Sequence, residues 1–209
     1  MDGCMSNSYA DRGARAAPPR LEEVYEGAAR LFFAKGYEAT SVQNIADEVR
    51  LLKGSIYYYF SSKEELLFVI VERAHAALLE KLAEAEQIAD PVERLRVAIK
   101  GHVENVASNI VPVTIFFNDF RSLSKAHRAA ILDERRSYES RMREMIGQAQ
   151  AAGAFPPDLD LNLATKAVLG MTNWVYKWFR ESGDLSPSEI GEIFAAFVFG
   201  GLVSGGRFG

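Results

Sequence analysis

The chain has 209 residues, of which 48% are hydrophobic and 25% are charged, and its formal net charge is −4. This composition is typical of a globular protein with a sizeable core, and the negative charge argues against a protein that coats nucleic acid without sequence preference. A sequence-specific DNA binder stays possible, because only its docking face must be positive. No apolar run reaches the roughly 18 to 20 residues that cross a bilayer, and no secretory signal begins the chain, so we expect a cytoplasmic protein without a membrane partner. The single cysteine, Cys4, excludes an intrachain disulfide and a cysteine-based metal site.

The first part of the chain predicts a tail and then a helix. Residues 1–19 are rich in Gly, Ser, Ala and Pro and lack apolar periodicity, which is typical of a disordered tail. Arg12 and Arg15 in this tail suit either a minor-groove arm or a solvated segment. From Leu21 onwards apolar residues recur at helical spacing, and Gly36 predicts the end of this helix.

Residues 40–63 contain two short helical patterns joined by a tight connection. Thr40 and Gln43 have the spacing of a capping box that begins the first helix, and Ile56 and Phe60 predict the buried face of the second. The second helix carries three consecutive tyrosines, and we expect one of these rings to pack inward and the others to point outward. This arrangement is typical of a helix-turn-helix whose second member reads DNA. The candidate DNA-binding residues are Thr40, Gln43, Lys53, Gly54, Ser55, Tyr57, Tyr58, Tyr59 and Lys63.

The roles expected within this set differ. Lys53 and the backbone N–H groups beside it suit phosphates or a guanine edge. Tyr57 and Tyr58 offer rings to thymine methyl groups or hydroxyls to phosphates, and Lys63 is placed for a phosphate.

The remaining sequence predicts further helices and no strand. Three helices have a cap residue with glutamate three positions later, at Ser62, Asp90 and Ser186. Pro112 breaks the helix that follows Asp90. Further helices are expected over residues 126–152, which end at a glycine, and 161–182. We therefore predict an all-α protein of about nine helices, divided into a tail (1–19), a three-helix DNA-binding domain with the helix-turn-helix (20–65) and a ligand-binding and dimerisation domain (66–209).

The last two helices are apolar on more than one side. Trp174 and Trp178 lie on the first of them, and Phe197 and Leu202 on the second. Surplus apolar surface indicates an interface, and two helices from each of two subunits form a four-helix interface with twofold symmetry. We predict a homodimer through these helices.

Aromatic residues with a few polar groups are also what a ligand pocket needs, although the same pattern suits a core or a dimer contact. Arg121 and Lys177 suit a phosphate or a carboxylate. His75, His102 and His127 lie on three different helices and are interpreted as ordinary helical residues. No metal site, cofactor or catalytic constellation is expected. The candidate ligand-binding residues are Phe116, Phe117, Phe120, Arg121, Asn173, Trp174 and Trp178.

The segment GYEATSVQNIADEVRLLKGSIYYYFSSKEELL resembles the DNA-binding domain of the TetR/AcrR family of bacterial repressors. The resemblance implies a dimer that binds an operator and that a small molecule in the C-terminal domain releases from DNA. Two positions depart from the family pattern. Arg50 stands where a glycine often forms the turn, and Leu52 where a serine or threonine usually caps the recognition helix.

A second resemblance lies in FFNDFRSLS, AAILDERRSYESRMREMIGQAQAAGAF and LGMTNWVYKWF. Together they resemble the branch of the family that regulates fatty-acid and sterol catabolism and responds to acyl-CoA thioesters. It implies an effector with a long tail and a polar or anionic head, with a CoA-phosphate role open for Arg135, Arg136 or Arg141. The charge run that holds these arginines equally suits a solvated helix face. The alternatives are a regulator of multidrug efflux that responds to aromatic or cationic compounds, and a dimeric helical adaptor without DNA binding.

Overall fold

The computed structural model describes residues 19–203, and every regular element in this range is helical. The predicted tail with Arg12 and Arg15 lies outside the described residues. Trp174 alone separates the eighth helix from the ninth, so the all-α prediction of about nine helices is confirmed, with one helix interrupted. The helices are α1 (Pro19–Lys35), α2 (Val42–Glu48), α3 (Lys53–Ile56), α4 (Lys63–Glu86), α5 (Pro91–Ser108), α6 (Ile110–Asp119), α7 (Lys125–Ala151), α8 (Leu161–Asn173), α9 (Val175–Trp178) and α10 (Pro187–Val203).

Helices α1 to α3 and the start of α4 form the N-terminal head around one apolar core. Phe32, Ile45 and Leu67 are fully buried there, because each lies on the inward stripe of its own helix. Gly27 lets α1 approach α2 closely, since a Cβ at this position would lie 2.5 Å from Cγ1 of Val49. The head is therefore fixed by packing rather than by the helix propensity of its short members.

Ser41, and not Thr40, caps α2, so the predicted Thr40–Gln43 capping box is wrong by one residue. The Ser41 hydroxyl accepts the N–H of Asn44 at 3.1 Å, and the Asn44 side-chain oxygen accepts the N–H of Ser41 at 2.9 Å. Thr40 is instead 1% exposed, and its hydroxyl donates to the carbonyl of Gly36 at 2.9 Å. Thr40 thus donates to a carbonyl just past the end of α1. Its hydroxyl is therefore engaged elsewhere, and the neighbouring Ser41 becomes the cap of α2.

Most other predicted helix boundaries are confirmed, but the helix expected over residues 161–182 ends at Trp178. The helix that follows Asp90 ends at Ser108, and Pro112 lies in the first turn of α6, where a missing N–H breaks no helical hydrogen bond. Gly36 and Gly153 follow α1 and the end of α7 with positive φ angles of 83° and 84°. Helices α4, α5 and α10 are capped at their starts. The side-chain oxygens of Ser62, Asp90 and Ser186 accept hydrogen bonds from backbone N–H groups in the first turn of each helix.

The C-terminal helices surround α5, which packs against α4, α7, α8 and α10. Gly191 brings α10 onto α5, because a Cβ there would lie 3.0 Å from Cα of Lys100. Helix α4 passes through the predicted boundary at 65/66 without a break. The core of the head also continues into the C-terminal helices, since Ile115 and Ile131 belong to it. No helix among residues 19–203 is long and apolar enough to cross a bilayer.

Candidate DNA interface and ligand cavity

The turn between α2 and α3 has a left-handed residue at Arg50, whose φ is 55°. The N–H of Leu51 then donates to the carbonyl of Ala46 at 2.9 Å and closes the turn. A non-glycine residue in this conformation costs about 1 to 2 kcal/mol. The turn therefore keeps the left-handed geometry that the family usually gives to glycine, at a cost in stability.

Helix α3 is four residues long and continues as turns to Tyr59. Its N-cap is Leu52, which supplies no side-chain hydrogen bond and is 80% exposed. The expected loss of a cap is confirmed, and it explains why α3 is short, since a capping oxygen contributes about 1 kcal/mol.

The three tyrosines after Ile56 divide into two outward and one inward ring. Tyr58 is 86% exposed and Tyr57 is 49% exposed. Tyr59 is half-buried against the core of the head, and its ring meets that of Tyr58 edge to face at 5.3 Å. The expectation of one inward ring is confirmed. Tyr57 and Tyr58 are placed to contact a partner outside the chain.

The remaining DNA candidates divide between the surface and the head interior. Lys53 and Gly54 are exposed, and Ser55 is half-buried. Gln43 is exposed, and its amide donates to Asp47 at 2.7 Å.

Lys63 is engaged within the head. Its ammonium donates to the carbonyls of Tyr37 at 2.8 Å and Thr40 at 2.9 Å, and it lies 4.0 Å from the centroid of the Tyr37 ring. In this geometry Thr40 and Lys63 hold the α1–α2 connection against the start of α4.

A cavity of about 280 Å³ lies between α4, α5, α6, α7 and α8. Its volume is close to the lower end of the range for small-molecule sites. Apolar side chains form much of its wall: Ala74, Leu78, Val106, Val113, Phe116, Phe117 and Leu169. The polar lining residues are His75, His102, Asn105, Arg135, Tyr138, Glu139, Lys166 and Asn173.

His102 lines the cavity and is 2% exposed. Its Nδ1 lies 2.8 Å from the Tyr138 hydroxyl and its Nε2 lies 3.2 Å from Oδ1 of Asn173. Burial lowers the pKa of His102 to about 4, against the raising effect of the Asn173 hydrogen bond. Burial, with the positive charge of Arg135, lowers the pKa of His75 to about 4 as well. Both imidazoles are therefore neutral at pH 7.

The cavity contains three of the predicted ligand residues, Phe116, Phe117 and Asn173. Phe120 packs behind the wall, with its ring 5.4 Å from that of Phe116. Arg121 is exposed on the turn after α6.

Trp174 precedes the short α9 and Trp178 is its last residue, and the two residues are 60% and 44% exposed. Phe120, Arg121, Trp174 and Trp178 are not among the residues that line the cavity, and their ligand-binding role stays a prediction.

Sequence reasoning missed several cavity residues. The sequence predicts His102 as an ordinary helical residue and does not single out Tyr138. A signal was present in the sequence, because His102 and Tyr138 each place a polar group on the largely apolar buried face of a helix, α5 and α7. Among the three arginines considered for a phosphate, Arg135 lines the cavity and lies 5.4 Å from the Phe116 ring centroid. Arg141 is paired with Glu86, and Arg136 with Asp133.

An exposed tyrosine-bearing helix-turn-helix, joined to a helical domain with an internal cavity, defines a DNA-binding transcriptional regulator. Residues 24–70 match the family of bacterial regulatory proteins described as the tetR family. Residues 89–202 match the family described as tetracyclin repressor-like, C-terminal domain. The chain belongs to the TetR family.

Individual relatives agree with this membership. The HTH-type transcriptional repressor KstR2 of Mycobacterium tuberculosis is 30% identical over 199 residues, which cover 94% of this chain and 99% of the relative. The solved structure of the regulator PfmR from Thermus thermophilus has 34% identity and a TM-score of 0.81, covering 86% of this chain and 98% of that one. The structure of AibR in complex with isovaleryl coenzyme A and operator DNA has 33% identity and a TM-score of 0.75, with 88% and 98% covered.

Proposed function

We propose that the chain is a homodimeric transcriptional repressor that a small apolar ligand of acyl-CoA type releases from operator DNA. The observation that carries the proposal is the outward position of Tyr57 and Tyr58 on a helix-turn-helix above a domain with a ligand-sized cavity. The KstR2 relative is a repressor, and the AibR relative was solved with operator DNA and an acyl-CoA. As with these relatives, the proposed role is regulatory rather than enzymatic, and acts on DNA in the cytoplasm.

The proposed DNA contacts are the exposed members of the candidate set. Tyr57 and Tyr58 would meet base edges and phosphates, and Lys53 a phosphate. Gln43 on α2 would add a contact from the first helix of the motif. Residues 20–65 form the DNA-binding part in this proposal, and 66–209 the ligand-binding and dimerisation part.

Dimerisation through the last helices is supported by exposed apolar side chains there. Leu163, Trp174 and Phe197 are 68%, 60% and 63% exposed in the single chain. Large apolar groups that cluster on the surface in this way indicate an interaction site. Pairing α8 and α10 with their copies would cover these groups by a twofold axis. The two recognition helices must then lie about 34 to 36 Å apart to enter successive major grooves.

The cavity suits a ligand with an apolar tail and an anionic head. The two imidazoles in its wall are neutral at pH 7, because burial lowers the pKa of both His75 and His102 to about 4. Arg135 and Lys166 line it and are exposed, so two cations mark the solvent side where a phosphate-bearing head would lie. The carboxylate of Glu139 on the same lining would weaken the binding of anions that approach it.

Coupling between the cavity and the head would pass through α4 and α6. Ala74 and Leu78 of α4 line the cavity, and Phe116 of α6 belongs both to the cavity wall and to the core of the head. A ligand shifts the spacing of the recognition helices only if it prefers one spacing over another.

A combined thermal-shift and gel-shift screen tests the proposal. The DNA that flanks the gene serves as the operator probe, and acyl-CoAs, free fatty acids and cationic aromatic drugs serve as ligands. We expect acyl-CoAs to raise the melting temperature and to release the DNA. A response to cationic drugs alone would instead identify an efflux regulator. Absence of binding to any flanking DNA, at low and moderate salt, would identify an adaptor and overturn the proposal.

A further inference from the structure

The cavity wall holds a chain of three polar side chains, of which His102 and Tyr138 are buried and Asn173 is half-buried. Tyr138 on α7, His102 on α5 and Asn173 on α8 are linked by the contacts of 2.8 and 3.2 Å. All three line the cavity. A bound ligand that covers these polar groups without pairing them binds at a cost, so their hydrogen-bonding directions decide what the cavity accepts.

The directions follow from the acceptor at one end. Oδ1 of Asn173 accepts only, so Nε2 of the neutral His102 carries the proton and donates to it. Nδ1 of His102 is then the unprotonated nitrogen, and the Tyr138 hydroxyl donates to it. Burial raises the pKa of Tyr138, so this hydroxyl keeps its proton at every physiological pH.

The chain therefore presents two different groups to a ligand. The Tyr138 hydroxyl already donates its proton to a hydrogen bond with His102, so its oxygen can only accept a further hydrogen bond from a ligand. The Asn173 amide nitrogen makes no hydrogen bond to the described residues and offers N–H groups. A hydroxyl satisfies either group, because it both donates and accepts. A ketone oxygen can accept from the Asn173 amide but cannot donate to the Tyr138 oxygen, so two acceptors would face each other there. A plain alkyl chain would exclude water from both groups and leave both without a hydrogen-bond partner.

We propose that the cavity recognises a hydroxyl group on the apolar part of its acyl ligand, through Tyr138 and Asn173 held in place by His102. The inference rests on the proposed function, and it names the class of effector as hydroxylated acyl compounds rather than saturated or oxo ones. His102 acts as a positioning residue, because it fixes which atoms of its two neighbours remain available. Sites built to hydrogen-bond a substrate hydroxyl reject the analogue that lacks it far more strongly than apolar sites reject an extra methylene.

A matched ligand panel on the full chain tests the inference. Acyl-CoA thioesters and free acids of one chain length are compared in saturated, hydroxylated and oxo forms, by isothermal titration calorimetry and by release of flanking DNA. We expect the hydroxylated form to bind roughly tenfold more tightly than the saturated one, with the oxo form between them. Equal affinities of the hydroxylated and saturated forms overturn the inference, and a preference for the oxo form shows the reverse direction of the hydrogen-bond chain and also overturns it.

Two variants and a matched control assign the effect to the named atoms. Tyr138→Phe and Asn173→Leu should each reduce the preference for the hydroxylated form to less than about threefold, because the hydroxyl loses a partner and the saturated form no longer leaves the removed group unpaired. Tyr176→Phe removes a hydroxyl from a ring that stacks on Phe117 at 4.7 Å but does not line the cavity, and it should keep the full preference.

Circular dichroism at each temperature of measurement shows whether the variants are folded. If Tyr138→Phe does not fold, Asn173→Leu and the ligand panel on the unaltered chain still decide. Failure of the proposed function is a different result: no member of the panel, in any oxidation state of the tail, binds or releases DNA.

Discussion

The imidazole of His127 stacks on the ring of Phe68, with 4.0 Å between ring centroids and 11° between their planes. The same imidazole contacts Oε1 of Glu64 through Nδ1 at 2.7 Å, and the N–H of Ser124 donates to that oxygen at 2.8 Å. The start of α7 is thereby fixed to the start of α4, immediately beside the head. Burial alone would raise the pKa of Glu64, but the hydrogen bonds from Ser124 and His127 outweigh it and hold the pKa below its ordinary value.

We predict that His127→Ala lowers the free energy of unfolding by about 1 to 3 kcal/mol, since it leaves a part-buried carboxylate with fewer partners. Urea denaturation at neutral pH measures the change. Arg136→Ala removes an exposed ion pair with Asp133 on the same helix and should change the free energy by less than about 0.5 kcal/mol. Equal effects of the two substitutions would contradict a stabilising role for His127.

The two neutral histidines of the cavity predict acid sensitivity. Each has a pKa of about 4 in the folded chain against an ordinary value of 6.5, so the unfolded chain binds more protons between these values. Stability is therefore full above about pH 6.5 and falls on acidification, by up to about 1.4 kcal/mol per pH unit for each histidine. His75→Gln should flatten the pH dependence of the urea midpoint between pH 6.5 and about 4. An unchanged slope in this variant would show that His75 is charged in the folded chain.

Tyr57→Ala should abolish operator binding and leave the fold intact, because about half of the residue's surface is exposed and available to DNA. Gel-shift titration with the flanking DNA measures the loss, and thermal unfolding monitors the fold. Phe33→Ala removes another ring that is 47% exposed, on α1, and provides the control. Normal operator affinity of Tyr57→Ala would remove this residue from the DNA interface.

Lys53 and Lys63 should respond differently to removal of their charges. Lys53→Ala should weaken binding to all DNA sequences alike and reduce the salt slope by about one. The sequence predicted a phosphate contact for Lys63 as well, which implies the same response. Because its ammonium is held by the carbonyls of Tyr37 and Thr40, we now expect Lys63→Met chiefly to lower the melting temperature. A reduced salt slope with an unchanged melting temperature in Lys63→Met would restore the phosphate role.

Arg50→Gly should stabilise the chain by up to about 1 kcal/mol. Glycine removes the cost of the left-handed backbone and adds a smaller cost in unfolded-chain entropy. Thermal unfolding of the free chain gives the change, and Arg50→Val is the opposite test, since a β-branched residue is strained at this φ and should destabilise. Stabilisation by valine would contradict the strain.

Local signals predicted much of the fold. The caps at Ser62, Asp90 and Ser186 act through residues within one turn, so the sequence holds all the information that they need. The start of α2 was predicted one residue early because Thr40 and Ser41 both suit a cap. The choice depends on the carbonyl that Thr40 meets at Gly36, which is a property of the packed head.

The cavity was harder to predict for a similar reason. Tyr138 and Asn173 lie 36 and 71 positions from His102, and only the packing of α5, α7 and α8 brings them together. The tyrosines of α3 were easier, because a short helix with one buried face leaves few places for three adjacent rings.

Phe116 has consequences for how such a regulator changes its effector over evolutionary time. Its ring is 6% exposed and serves the cavity wall and the core of the head at once. A substitution that reshapes the cavity at this position also loosens the domain that holds DNA, so selection would remove it together with the regulation. Among the residues of α7 and α8, which also contribute to the cavity wall, Ile131 is the one that belongs to the core of the head. New effector preferences, whether natural or engineered for a biosensor, should therefore accumulate around Tyr138, Leu169 and Asn173 while Phe116 stays constant.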